Sequence, residues 1–170
     1  MPRKLVFYSF LTFVILPMSA ILGVMCIIIL WSAFGNPTAM IDVAILATFV
    51  LYSFSAFSFL TRGVQNGKPF KASFKDFIKV NGYVALIVSV LVVVTAVLYF
   101  TWPAFKNTVI TELMKKQQAA PNGFDAVHLN AMLSKVLYGL GGYCILVSTH
   151  IIISLQLMRQ YGNLFVKQAN

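Results

Sequence analysis

Four stretches of the chain carry no Asp, Glu, Lys or Arg: residues 5–41, 43–61, 80–105 and 136–158. Each approaches or exceeds the roughly 20 apolar residues that a helix needs to cross the hydrocarbon core of a bilayer. Lipid offers no water to satisfy peptide groups, so such a stretch must close its own hydrogen bonds as a helix. The pattern predicts spans over about 5–30, 40–61, 74–102 and 136–158. Breakers stand between them. Gly35-Asn36-Pro37 follows the first span, Gly63, Gly67 and Pro69 follow the second, and Pro103 follows the third. Pro17 lies inside the first span and predicts a kink. Ser73 and Asp76 have the spacing of a capping box, which would start the third helix near residue 74.

Residues 103–135 form the one sizeable piece outside these spans. Phe105, Val109, Ile110 and Leu113 recur at helical spacing, so 104–118 reads as a short amphipathic helix. Pro121-Asn122-Gly123 is a turn signal, and Asp125 is placed to cap a following helix. Phe124, Val127, Ala131 and Met132 then continue an apolar face into the fourth span. The expected fold is all-α: a single polytopic membrane domain, with four transmembrane helices in a bundle and a small helical outer loop.

Composition agrees with this pattern. The 170 residues are 59% hydrophobic and 10% charged, against roughly 25% charged in soluble domains. A net charge of +9 would suit nucleic acid, but the basic residues sit in short flanks beside apolar spans, so no nucleic-acid partner is expected. Arg3, Lys4, Arg62, Lys68, Lys71, Lys75, Lys79, Arg159 and Lys167 face only Asp76 on the side of the termini. The other side holds Lys106, Lys115, Lys116 and Lys135 against Asp42, Glu112 and Asp125. The positive-inside rule makes both termini cytoplasmic. The N-terminal basic pair and apolar run imitate a signal peptide, but the run continues to Phe34, past an h-region of about 7–15 residues. An uncleaved first helix is expected. Four short-looped spans with one larger outer loop resemble the plan of many small bacterial membrane proteins, which points to a bacterial inner membrane.

Lipid contact is the best-supported chemistry. Lys71, Lys75 and Lys79 recur every four residues beside Phe70, Phe74, Phe77 and Ile78. That pattern suits a segment at the headgroup level whose lysines snorkel to anionic lipid at the cytoplasmic face. Trp31 and Trp102 fall at the outer ends of the first and third spans, as interfacial aromatic anchors. The segments around them echo each other, Trp31-Ser-Ala33-Phe34-Gly-Asn36 against Trp102-Pro-Ala104-Phe105-Lys-Asn107. The spans share little else, so the echo reads as interface chemistry rather than as a duplicated hairpin.

Each span also carries a stripe of small and polar residues. These are Thr12, Ser19, Gly23 and Cys26 in the first, and Thr48, Tyr52, Ser55 and Ser58 in the second. Asn81, Ala85, Ser89 and Ala96 follow in the third, and Gly141, Cys144 and Ser148 in the fourth. Small residues let membrane helices approach closely, and hydroxyls bond across the contact. Gly139, Gly141 and Gly142 make a face of their own, expected to meet either the first helix at Gly23 or a partner chain. Cys26 and Cys144 have no C-x-x-C partner and read as small hydrophobes.

Catalytic and cofactor signatures are missing. No P-loop, H-E-x-x-H or G-x-S-x-G occurs in the sequence, and all four carboxylates lie at or beyond the span ends. Arg62, Arg159 and Tyr161 read as interfacial anchors. His150 is the one ionisable residue near mid-span and the only candidate ligand for a cofactor such as haem or a quinone. A neutral, structural histidine bonded to Ser154 or to a neighbouring helix is the simpler reading, and no cofactor is expected. The residues favour a non-enzymatic accessory or interaction subunit, partnered by lipid and by other membrane chains or a second copy of itself. A small transporter or channel comes second, and a redox or enzymatic subunit built on His150 third.

Overall fold

The computed structural model describes residues 3–117 and 125–166. The Pro121-Asn122-Gly123 turn, Phe124 and Lys167 lie outside the described residues. The apolar runs fold as α1 (Arg3–Ala33), α2 (Pro37–Ser58), α3 (Ala72–Thr101) and α5 (Ala126–Gln160), with α4 (Pro103–Gln117) between the last two. All four long helices are long and apolar enough to cross a membrane, consistent with a multi-pass membrane protein.

Helix ends follow local chemistry. Asn36 caps α2, its side-chain oxygen accepting from Thr38 N and Ala39 N at 3.1 and 3.3 Å. Pro37 takes the first helical position, where a missing N–H costs nothing. Asp125 caps α5 by accepting from His128 N at 2.7 Å. The expected capping box did not form as drawn: α3 begins at Ala72, so Ser73 stands inside the first turn. The chain reaches α3 directly from β1 (Phe70–Lys71), which leaves no room for a separate cap. The helix α1 runs unbroken through Pro17.

The chain divides into two compact units, residues 1–88 with 146–170 and residues 89–145. In the first, α1 and α2 pack side by side over most of their length. Phe13 meets Phe57, Ser19 meets Ser53, Gly23 meets Val50, and Cys26 donates to the Val43 carbonyl. Residue numbers rise along one helix as they fall along the other, so the pair is antiparallel. Past α2 the chain continues as a π-helical segment, Phe59–Gln65. The short strand β1 pairs in parallel with β2 (Phe165–Val166), Phe70 opposite Phe165 and Lys71 opposite Val166.

In the second unit, Tyr99 of α3 donates to Asn130 Oδ1 of α5 at 2.8 Å, and Lys106 of α4 lies 5.6 Å from the Tyr99 ring centre. Phe100 stacks on Tyr138 at 4.3 Å. Outward faces of the long helices are largely apolar, with Phe10, Ile21, Ile27, Ile87, Leu91 and Ile152 all exposed on the chain's surface. Water would make so much apolar surface untenable; lipid does not.

Candidate functional site

His150 sits in a polar cluster assembled by three helices of the first unit. The helix α1 contributes Tyr8 and Thr12, one turn apart on the same face. Tyr52 comes from α2, and α5 supplies His150 and Ser154, again four residues apart. All five are buried. Thr12 Oγ1 lies 2.9 Å from His150 Nε2, and the Tyr52 hydroxyl lies 2.8 Å from Nδ1. Tyr8 stacks flat on the imidazole, its ring centre 4.5 Å away, and Tyr52 meets the ring edge-on at 5.7 Å. The Tyr8 hydroxyl is 3.3 Å from Ser154 Oγ and 3.5 Å from the Ala56 carbonyl.

Proton counting fixes the roles. The single Thr12 hydroxyl proton goes to the Tyr8 carbonyl at 2.8 Å. Oγ1 must therefore accept from Nε2–H, which leaves Nδ1 to accept from the Tyr52 hydroxyl. The imidazole is neutral, is protonated on Nε2, and spends both nitrogens on protein partners. An iron or quinone at this residue would first have to displace Thr12 or Tyr52. Among the described residues, no three His, Cys, Asp or Glu side chains stand close enough to hold a metal ion.

The helix α3 closes this cluster from its own side through Gly82. A Cβ on that residue would stand 3.3 Å from two Tyr52 ring carbons and 3.6 Å from Ile151 Cγ2. Glycine thus lets α3 approach the tyrosine that holds His150. Of the residues expected beside the histidine, Ser154 is present but bonds to Tyr8 rather than to the imidazole. The partners come from neighbouring helices, the other possibility the sequence left open. Tyr8 carried no signal by itself; its position one turn before Thr12 was the available hint.

The basic end of the same unit carries a second constellation. Phe59, Phe70, Phe74 and Phe165 form a chain of stacked rings, with centre distances of 5.7 Å for Phe59–Phe165, 6.2 Å for Phe70–Phe165 and 4.6 Å for Phe70–Phe74. Lys75 Nζ lies 5.4 Å from the Phe165 ring centre, close enough for a cation–π contact. Gly63 in the π-helical segment makes the room: a Cβ there would come within 2.8 Å of Phe70 Cε2. Lys71 and Phe77 are exposed and Lys79 is half-exposed. Ile78, drawn on the same apolar face in the sequence, is fully buried.

The remaining candidates are scattered. Trp31 and Trp102 are exposed at or next to the ends of α1 and α3. Their surrounding echo does not continue into structure, since Asn36 caps a helix and Asn107 lies inside α4. Gly23 faces Val50 Cγ1 at 3.5 Å, and Gly141 faces Ala96 Cβ at 3.8 Å. Among the described residues, nothing stands within 4 Å of the Cβ positions of Gly139 and Gly142. Cys26 and Cys144 are free thiols. Comparison with protein-family models, curated protein sequences and solved structures gives no match for this chain.

Proposed function

We propose that the chain is a non-enzymatic integral membrane protein of a bacterial inner membrane, both termini cytoplasmic, serving as an accessory or interaction subunit of a larger membrane assembly. The observation that carries this reading is the glycine face of α5. Glycine in a helix interior is less favourable than alanine by about 1 kcal/mol. A Cβ on Gly141 would make only ordinary contact with Ala96, and among the described residues open space stands over Gly139 and Gly142. A hollow of about 330 Å³ at Gly142 is lined by Ala96, Val97, Phe100, Tyr138, Gly141 and Gly142 among others. Small residues facing outward give another helix a place to approach closely, which in lipid is the main source of association.

The transporter reading needs polar side chains that face a common path. In the first unit they face one another instead: Thr12 and Tyr52 close on His150, Tyr8 on Ser154, and Ser19 donates to Ser53 at 2.7 Å. The redox reading needs a free imidazole nitrogen, and both are engaged. Orientation rests on the excess of Lys and Arg beside the termini and the connector between the second and third spans.

Purification in mild detergent, followed by mass spectrometry of associated chains, tests the reading when run on Gly142→Leu beside the parent. Leucine at an open position should leave insertion and thermal stability unchanged while removing a stoichiometric partner. A variant that keeps every associated chain, or a parent that has none, refutes it.

A further inference from the structure

Lys71, Ser73, Phe70, Phe74 and Phe77 line a hollow of about 430 Å³ at the basic end of the first unit. Its walls are chemically divided. Phe70, Phe74 and Phe77 lie at helical spacing and present an apolar face, with Phe77 42% exposed. Lys71 and Ser73 supply an ammonium and a hydroxyl, both exposed at the start of α3. Lys75 is not part of the lining, because its ammonium is held over the Phe165 ring. Lys79 does not line the hollow either. Of three lysines spaced four apart, one alone opens onto the depression.

We infer that this hollow holds one anionic phospholipid. Its phosphate would sit against Lys71 and the Ser73 hydroxyl, and its acyl chains would leave along Phe74 and Phe77. Charge complementarity selects an anionic headgroup: Lys71 lines the hollow, and the segment 62–79 around it in sequence carries Arg62, Lys68, Lys71, Lys75 and Lys79 against Asp76 alone. The adjoining aromatic face selects an occupant with a long apolar tail over a free phosphate. A lysine snorkelling to headgroup level beside apolar rings is the geometry that lipid phosphates favour. The inference rests on the membrane reading of the helices and goes beyond it, since general anchoring gives every lysine in the region the same weight.

Native mass spectrometry of the full-length chain tests this with dioleoylphosphatidylglycerol and dioleoylphosphatidylcholine added at equal ratios. Recovery in carbonate-resistant membranes is checked first for every variant, so a failure of insertion is seen separately from a failure of lipid binding. The parent should retain one phosphatidylglycerol under conditions that strip phosphatidylcholine. Lys71→Gln should weaken that retention about fivefold, the scale of one lysine near an anionic surface. Lys79→Gln, with the same charge change, should weaken it less than twofold. Ser73→Ala serves as a second variant, at an exposed side chain, and it too should weaken retention. Glycerol phosphate without acyl chains should fail to compete. Equal effects of the two lysine variants, equal retention of the two lipids, or full competition by glycerol phosphate would each overturn the inference.

Discussion

Replacing His150 tests the cluster at the centre of the first unit, and its geometry sets the size of the effect. His150→Leu removes the 2.8 Å partner of the Tyr52 hydroxyl and leaves that buried donor only Ser154 to turn to, at a cost of about 1–3 kcal/mol. It also removes the flat stack on Tyr8, a contact contributing about 0.5–1.5 kcal/mol. Thr12 loses little, because its proton already goes to the Tyr8 carbonyl. A net loss of about 2–4 kcal/mol is expected from these two terms. His150→Asn should cost about 1 kcal/mol, because the amide oxygen can take the place of Nδ1 as acceptor for Tyr52. His150→Gln should cost more than Asn, since its longer arm reaches toward Thr12 and leaves Tyr52 without its imidazole acceptor. The pairwise term comes from the cycle of Tyr52→Phe, His150→Leu and the double variant. Interhelical hydrogen bonds in membranes contribute about 0.6 kcal/mol on average and up to about 1.7, so a coupling near 1 kcal/mol is expected. Equilibrium unfolding by sodium dodecyl sulfate in mixed micelles, followed by far-ultraviolet circular dichroism, gives the values. Additivity within about 0.3 kcal/mol would refute the Tyr52–His150 bond. A nitrogen-15 spectrum showing Nδ1 rather than Nε2 protonated would refute the assigned roles.

Three further outcomes follow from individual contacts. Gly63→Ala puts a Cβ within 2.8 Å of Phe70 Cε2; overpacking of this kind costs about 1–3 kcal/mol, so amide exchange at residues 70–71 and 165–166 should accelerate while α1 and α2 stay protected. Buried Ser89 Oγ makes no well-formed hydrogen bond among the described residues and has only the Cys144 thiol as a weak polar neighbour, so Ser89→Ala should be neutral or stabilise by up to about 1 kcal/mol in the same unfolding assay; a clear loss would reveal a bond to that oxygen. With Cys26 and Cys144 replaced by Ala, an impermeant maleimide applied to intact cells should label Val127→Cys and spare Gly67→Cys; the reverse pattern would invert the orientation.

What the sequence revealed depended on how local each signal was. Spans were legible because lipid demands long apolar runs, and Asp125 was legible because capping acts over three residues. The stripes turned inward only in part: Thr12, Ser19, Tyr52, Ser55, Asn81, Ser89 and Cys144 are buried, whereas Gly23, Cys26, Thr48, Ser58 and Ser148 are half-buried. The start of α2 was placed too late, although Asn36 followed by Pro37 is a cap and first-turn signal in its own right. The pairing of Phe70 with Phe165 could not be read, because nothing near either residue specifies a partner so distant in the chain. The same holds for Tyr8: its burial follows from where α5 places His150, not from its own neighbours. Glycines divided likewise, Gly82 being explained only by Tyr52 and Ile151 from other helices.

The interaction reading meets its most direct test at Gly142. A photoreactive benzoylphenylalanine would be placed there, with a control at Ile87, which is exposed on α3, and the cells irradiated before lysis. The account predicts that position 142 yields a discrete adduct with one membrane chain, a second copy or a different protein, while position 87 yields lipid adducts alone. Lipid adducts at both positions would leave the glycine face without a partner and contradict the account.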